Sequence, residues 1–134
     1  MVEALRQAPV DEIVVVQGAH ALEALPGTRL VHCPDWARGP GATLRCGLAA
    51  LGPEVRRAVV VLADGPELDP RAVARVAAHP APAAAASYDG TRSHPVALDR
   101  TAWEGVPDEG GRGLDAALVD CSDLRPPGDR DVRI

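Results

Sequence analysis

Asp64 marks an abrupt passage from an apolar run to a turn. Val59, Val60, Val61, Leu62 and Ala63 lead directly into Asp64-Gly65-Pro66. A short apolar run closed by a turn signal predicts a strand buried on both faces. A carboxylate just past such a strand stands on the sheet edge where α/β proteins place their ligands. There it can hold Mg²⁺, which commonly takes one or two carboxylates with phosphate oxygens and water. A turn-forming aspartate before Gly-Pro fits the same local pattern. The loop P-D-W-A-R-G-P-G, Pro34 to Gly41, is the second candidate. Gly39 and Gly41 permit close backbone approach, and Thr43 and Arg45 fall in the first turn of the helix that follows. A helix N-terminus lined by small residues can hold an anion or a polar base edge; the same pattern also describes a loop feeding a core helix. Trp36 either covers a ligand or seals that loop. His94 precedes Pro95 and is held extended, facing either a substrate or solvent. Arg112, in the glycine-rich run Asp108 to Gly113, can meet a phosphate or belong to a surface turn. Asp129 and Asp131 stand at i and i+2, on one side of an extended segment. They either join Asp64 on a metal or form a solvated terminus.

What the sequence lacks bounds this chemistry. It has no lysine, and all 14 basic residues are arginine. Neither an amine nucleophile nor a lysine charge for phosphate exists, so anion contacts fall to arginine, backbone N–H groups or metal. The formal net charge of -5 argues against a general grip on nucleic acid or anionic membrane. No apolar run reaches bilayer length and no signal-peptide core follows Met1, so a cytoplasmic location is expected. Cys33, Cys46 and Cys121 are widely spaced with no C-x-x-C pair, which predicts buried thiols rather than zinc or disulfides.

The elements that must position these residues read as alternating strands and helices. Val2 to Ala8 predicts the end of a helix stopped by Pro9, and Ile13 to Val16 a parallel strand. Gly18 to Leu25 predicts a short helix or turn, and Arg29 to Cys33 another strand. Leu44, Leu48 and Leu51 recur at i, i+4 and i+7, a helix stopped at Gly52-Pro53. The strand ending at Asp64 follows, then a helix capped by Asp69 with Pro70 at its first position and Val73, Val76 and Ala77 as its apolar stripe. Ala83 to Tyr88 and His94 to Leu98, joined by Asp89-Gly90, predict a small hairpin-like insertion. Gly111 to Leu118 predicts a short helix, and Val119 to Cys121 a strand. The order gives an α/β domain with a mainly parallel sheet, and 134 residues suit a single domain, 1–134.

Four segments, in sequence order, resemble the MobA/MocA-like NTP transferases, the family of molybdenum cofactor guanylyl- and cytidylyltransferases. Pro34 to Leu51 resembles the family's Trp-containing glycine-rich segment with Leu-Arg and Gly-Leu. Val60 to Leu68 resembles its strand ending in Asp-x-Pro, Tyr88 to Leu98 its Gly-His-Pro-Val element, and Asp108 to Arg112 its Gly-Asp-x-Gly-Ala-Arg loop. The resemblance implies a Rossmann-like three-layer nucleotidyltransferase fold with a mainly parallel sheet, here lacking the family's first strand and its glycine-rich loop. Exposed edges on the neighbouring strands would follow. It also implies Mg²⁺-dependent transfer of a nucleotidyl group from an NTP, CTP or GTP, to a phosphorylated acceptor such as molybdopterin, with release of pyrophosphate. In that scheme Asp64 is the catalytic metal ligand, joined by the closing Asp-x-Asp, Asp129 and Asp131. Gly39, Gly41, Thr43 and Arg45 would bind nucleotide, and His94 and Arg112 the acceptor. The alternative is a non-catalytic homologue acting as a binding domain, pairing in a homo- or hetero-oligomer through an exposed sheet edge.

Overall fold

Four consecutive β-branched residues, Ile13 to Val16, open the first strand. Their branched side chains favour the pleated surface over a helix. In a computed structural model of the chain, which describes residues 6–7, 10–17, 28–34, 36–61, 68–107, 115–124 and 126, Ile13–Gln17 (β1) pairs in parallel with Thr28–His32 (β2). A 3-10 turn, Trp36–Arg38, leads into helix Pro40–Ala49 (α1), followed by Arg57–Val60 (β3) and helix Pro70–Ala78 (α2). Next come Ala83–Tyr88 (β4), Thr91–Asp99 (β5), the single-turn helix Arg100–Trp103 (α3) and Ala117–Asp120 (β6).

The described strands form a two-stranded sheet, β1-β2, and a four-stranded sheet in the order β3-β5-β4-β6. β5 is antiparallel to both its neighbours, and β4 and β6 are parallel, so β3, β4 and β6 run one way. Helix α1 ties the two sheets into one orientation. The Cys33 thiol donates to the Ala42 carbonyl in the helix's first turn, while Arg29 donates to the Ala50 carbonyl just past its last. α1 therefore runs against β2, and the chain returns through Gly52–Arg56 to start β3 parallel to β2. This is the usual crossover of an α/β unit.

The helices cover opposite faces. Leu44, Leu48 and Leu51 of the α1 segment cluster with Ala58, Val60, Ala83, Ala85, Val96, Leu98, Trp103 and Val106. Ala72 and Val76 of α2 cluster with Val59, Ala84, Ala86, Ala97, Val119 and Cys121 on the other face. Alanines fill the centre: Ala84, Ala85, Ala86 and Ala97 are fully buried. With two tryptophans, one tyrosine and no phenylalanine, the interior is closed by helices lying close over small side chains rather than by large rings. The three-layer α/β architecture expected from the sequence is the one observed.

Several local expectations are corrected. β4 and β5 form the centre of the larger sheet, not an insertion, because Ala83–Tyr88 is buried along its whole length and pairs on both sides. Ala117 and Leu118, expected in a helix, lie in β6. Parallel pairing of Ala84–Ser87 with Ala117–Asp120 overrides the helical preference of Ala and Leu. The Pro34–Gly41 loop is shorter than expected, since α1 starts at Pro40, where a proline costs no helical hydrogen bond. The chain is helical again at Arg100–Trp103, with no sequence signal. Asp69 caps α2 as expected, accepting from the Arg71 amide at 2.9 Å. Most of the expected helix 2–8, the segment 18–25 and the strand's last residues 62–64 lie outside the described residues.

Candidate functional site

Among the described strands, five run parallel and end on one edge: β1 and β2 by their pairing, β3 through the α1 crossover, β4 and β6 by register. Ligands of α/β folds gather at this carboxyl edge. The chain leaves β3 there toward Asp64, and α1 and α2 both begin there.

The start of α1 is shaped by Gly39. Its φ of 131° lies where a side chain is strained, and ψ of 171° turns the chain sharply into the helix. Gly41 and Ala42 are buried, and among the described residues no side chain caps this first turn. Its backbone N–H groups and the positive end of the helix dipole are suited to an anion. Thr43 is half-buried beside them, its amide returning to the Gly39 carbonyl at 3.4 Å. Arg45 is half-buried, and its guanidinium donates to the Val106 carbonyl. That contact joins α1 to the segment after α3. Trp36 is 45% exposed on the preceding turn.

His94 sits in β5 where its pairing with β4 shifts. Ala85 faces Val96, but Ser87 faces Arg92, so the β5 side carries extra residues at Ser93–Pro95. Such a bulge accommodates the proline, which has no N–H for the ladder. The half-buried His94 offers its carbonyl to the Tyr88 hydroxyl at 3.5 Å. His94 is thereby placed on the carboxyl edge of β4, the same edge as the α1 N-terminus. Asp64, Asp129, Asp131 and Arg112 lie outside the described residues.

The same edge carries polar residues that sequence reading did not single out. Asp120 accepts from the Ser122 amide at 3.0 Å and from its hydroxyl, and the Ser122 Oγ accepts from the Asp89 amide at 2.8 Å. Arg75 grips Asp123 with two hydrogen bonds, 2.6 and 2.8 Å. The Arg75 hydrogen bond holds the Asp123 carboxyl down at about 2. Hydrogen bonds from Ser122 lower Asp120, and that from Arg71 lowers Asp69. Burial pushes the Cys121 thiol up and Tyr88 up to about 12. These carboxylates are ionised and each already has a partner. Among the described residues no three His, Cys, Asp or Glu side chains converge as a metal site. Arg75 and Asp123 are 48 residues apart, so no local spacing could have paired them.

Solved structures share this fold. Rv0371c from Mycobacterium tuberculosis H37Rv superposes with a TM-score of 0.79 at 23% identity, covering 93% of this chain and 74% of that one. A structure of Rv0371c in complex with manganese gives 0.73 at 20% identity, covering 89% and 72%. The Rv0371c homolog from Mycobacterium sp. strain JC1 gives 0.73 at 20%, covering 93% and 72%. No curated protein matches the chain. No described helix is long and apolar enough to cross a membrane. The sequence matches the profile of the MobA-like NTP transferase domain over residues 1–120, so the chain, with its three-layer α/β fold, belongs to that nucleotidyltransferase family.

Proposed function

We propose that this chain transfers a nucleotidyl group from CTP or GTP to a phosphorylated acceptor such as molybdopterin. An acceptor phosphate oxygen would form a bond to the α-phosphorus as the bridging bond to the β-phosphate breaks, and pyrophosphate would leave. The observation that carries this reading is the family match over residues 1–120. The uncapped first turn of α1 at the carboxyl edge supports it, since such a turn suits phosphate oxygens or a base edge. In-line displacement at phosphorus needs positioning and charge neutralisation more than covalent help, which suits a chain without lysine.

In this reading Gly39, Gly41 and Thr43 receive the nucleotide, with Arg45 beside them. His94 and Arg112 face the acceptor. Asp64, Asp129 and Asp131 form an all-oxygen donor set, which fits a hard divalent ion such as Mg²⁺ better than a soft one. Manganese, held by one structural relative, has the same preference. Such an ion would supply neutralisation of the triphosphate charge.

Thermal unfolding tests the proposal. With Mg²⁺ and CTP or GTP the midpoint should rise, since ligand at about a hundred times its Kd adds about 2.7 kcal/mol. Asp64→Asn should unfold like the parent without ligand and lose the metal-dependent part of the rise. No rise at millimolar nucleotide with either base would overturn the proposal and favour the non-catalytic reading.

A further inference from the structure

The chain has three aromatic rings: Trp36, Tyr88 and Trp103. Two belong to the interior. Trp103 is 7% exposed, its indole N–H donates to the Leu98 carbonyl at 3.0 Å, and the Arg100 guanidinium lies 4.3 Å above its ring. Tyr88 is buried in the cluster under α2. Trp36 is different, with 45% of its surface in solvent. A ring that sealed the Pro34–Gly41 loop against the core would be largely covered. A chain that fills its core with alanines has therefore kept one of its few large rings outside.

A single exposed ring is ordinary; the place of this one gives it meaning. β2 ends at His32 on the carboxyl edge, and α1 starts at Pro40 on the same edge. The turn Trp36–Arg38 between them runs along that edge. The Trp36 carbonyl accepts from the Gly39 amide at 3.2 Å. A turn closed by such a bond brings its end Cα atoms within about 7 Å of each other. Trp36 is thereby fastened one turn from Gly39 and from the half-buried Thr43 in the first turn of α1.

We propose that Trp36 stacks on the base of the nucleotide, an inference that rests on the nucleotide placement proposed above. A nucleobase presents two kinds of surface. Its edge carries donors and acceptors, which backbone N–H groups and hydroxyls meet in the plane of the ring. Its face is apolar and polarisable, and another ring meets it. The first turn of α1, with its N–H groups and Thr43, serves the edge. Trp36 serves the face, since the other two rings are buried. Stacking is tolerant of sequence because every base has such a face. Trp36 therefore adds affinity for CTP and GTP alike and leaves the choice between them to the groups at the edge.

Fluorescence of the full chain tests this, because acrylamide reaches the exposed Trp36 and not the enclosed Trp103. CTP or GTP with Mg²⁺ should quench Trp36 and close it to acrylamide. Inorganic tripolyphosphate with Mg²⁺, which has phosphates and no ring, should do neither. Trp36→Phe leaves only Trp103 emitting, so nucleotide should not change its emission, yet its ring should keep the affinity within about threefold of the parent. Trp36→Leu should weaken both nucleotides about tenfold, read from the rise in thermal midpoint over a nucleotide titration. Each variant is compared with its own ligand-free midpoint, so a change in stability does not enter. A midpoint that rises with nucleotide while Trp36 emission and acrylamide access stay unchanged would overturn the inference and leave the transferase reading standing. So would Trp36→Leu binding as tightly as the parent, or tripolyphosphate quenching as strongly as nucleotide. No rise with either nucleotide would overturn both.

Discussion

Tyr88 shows how burial sets chemistry at a single residue. Its phenol is closed under α2 beside Cys121, and loss of solvation, reinforced by the fields of Cys121 and Asp69, pushes its pKa up to about 12. It is the chain's only tyrosine, so absorbance at 295 nm reports it without overlap from others. The titration should centre near pH 12 while the fold persists, and near 10 once the chain is unfolded in denaturant. The linked stability is complete below about pH 10 and is lost as pH rises through 12. Asp123 works in the opposite sense. Its pKa is depressed, so what the Arg75 pair contributes is present above about pH 4 and is lost as pH falls toward 2. Both groups of that pair are open to solvent, and the effect should weaken in high salt. A midpoint of thermal unfolding that is flat from pH 10 to 12 would contradict the Tyr88 assignment.

At the scale of elements, the two long helices begin differently. α2 has a full N-terminal device: Asp69 as cap, Pro70 in the first turn, and Arg71 folded back onto the capping carboxylate at 2.7 Å. Asp69→Ala should cost about 1 kcal/mol, within the range of about 0.5–2 for lost caps, and Asp69→Ser much less. Equilibrium unfolding of the two variants checks this. Among the described residues α1 has no side-chain cap, although it is the longer of the two helices. Its tertiary packing through Leu44 and Leu48 holds it in place, and its N-terminus lies at the carboxyl edge. Arg57 is a counterpart at the opposite edge. It donates to the carbonyls of Val76, His79 and Ala81 and to Asp99, closing the end of α2 onto β5.

For the whole molecule, the coupling of the two sheets depends on α1 and on one missing side chain. Gly47 lets α1 lie against Val16, and the same helix covers Ala58 and Val60. Gly47→Ala places a methyl group within the reach of a stiff, branched neighbour. It should lower stability by about 1–3 kcal/mol, the usual cost of overpacking. The loss should be uneven: amide exchange should quicken first in β1 and β2, and last in β4. Uniform quickening would mean that the small sheet is not held through this contact. Leu98, fully buried at the centre of the larger sheet, lies in the last region to open.

The sequence by itself determined the elements whose signals are local. Ile13–Val16 and Ala83–Tyr88 are strands because β-branched or small residues run together between turn formers. The Leu44 and Leu48 spacing makes a helix at any position in the chain, and Asp69-Pro70 starts one for reasons confined to four residues. The alternation of these elements was enough to give an α/β domain with a mainly parallel sheet, and ordered motifs from Pro34 to Arg112 were enough to give the family and, through it, the three-layer architecture. Tertiary structure decided everything that depends on pairs far apart in sequence. Ala117–Leu118 became a strand because β4 offered it a ladder. β4 and β5 became the sheet's centre because helices on both sides required small residues there. Arg45 met Val106, and Arg75 met Asp123, through proximity that no spacing encodes. Periodicity carries the local conformational preference of a segment, whereas hydrogen-bond partners and burial are properties of the neighbours the fold supplies.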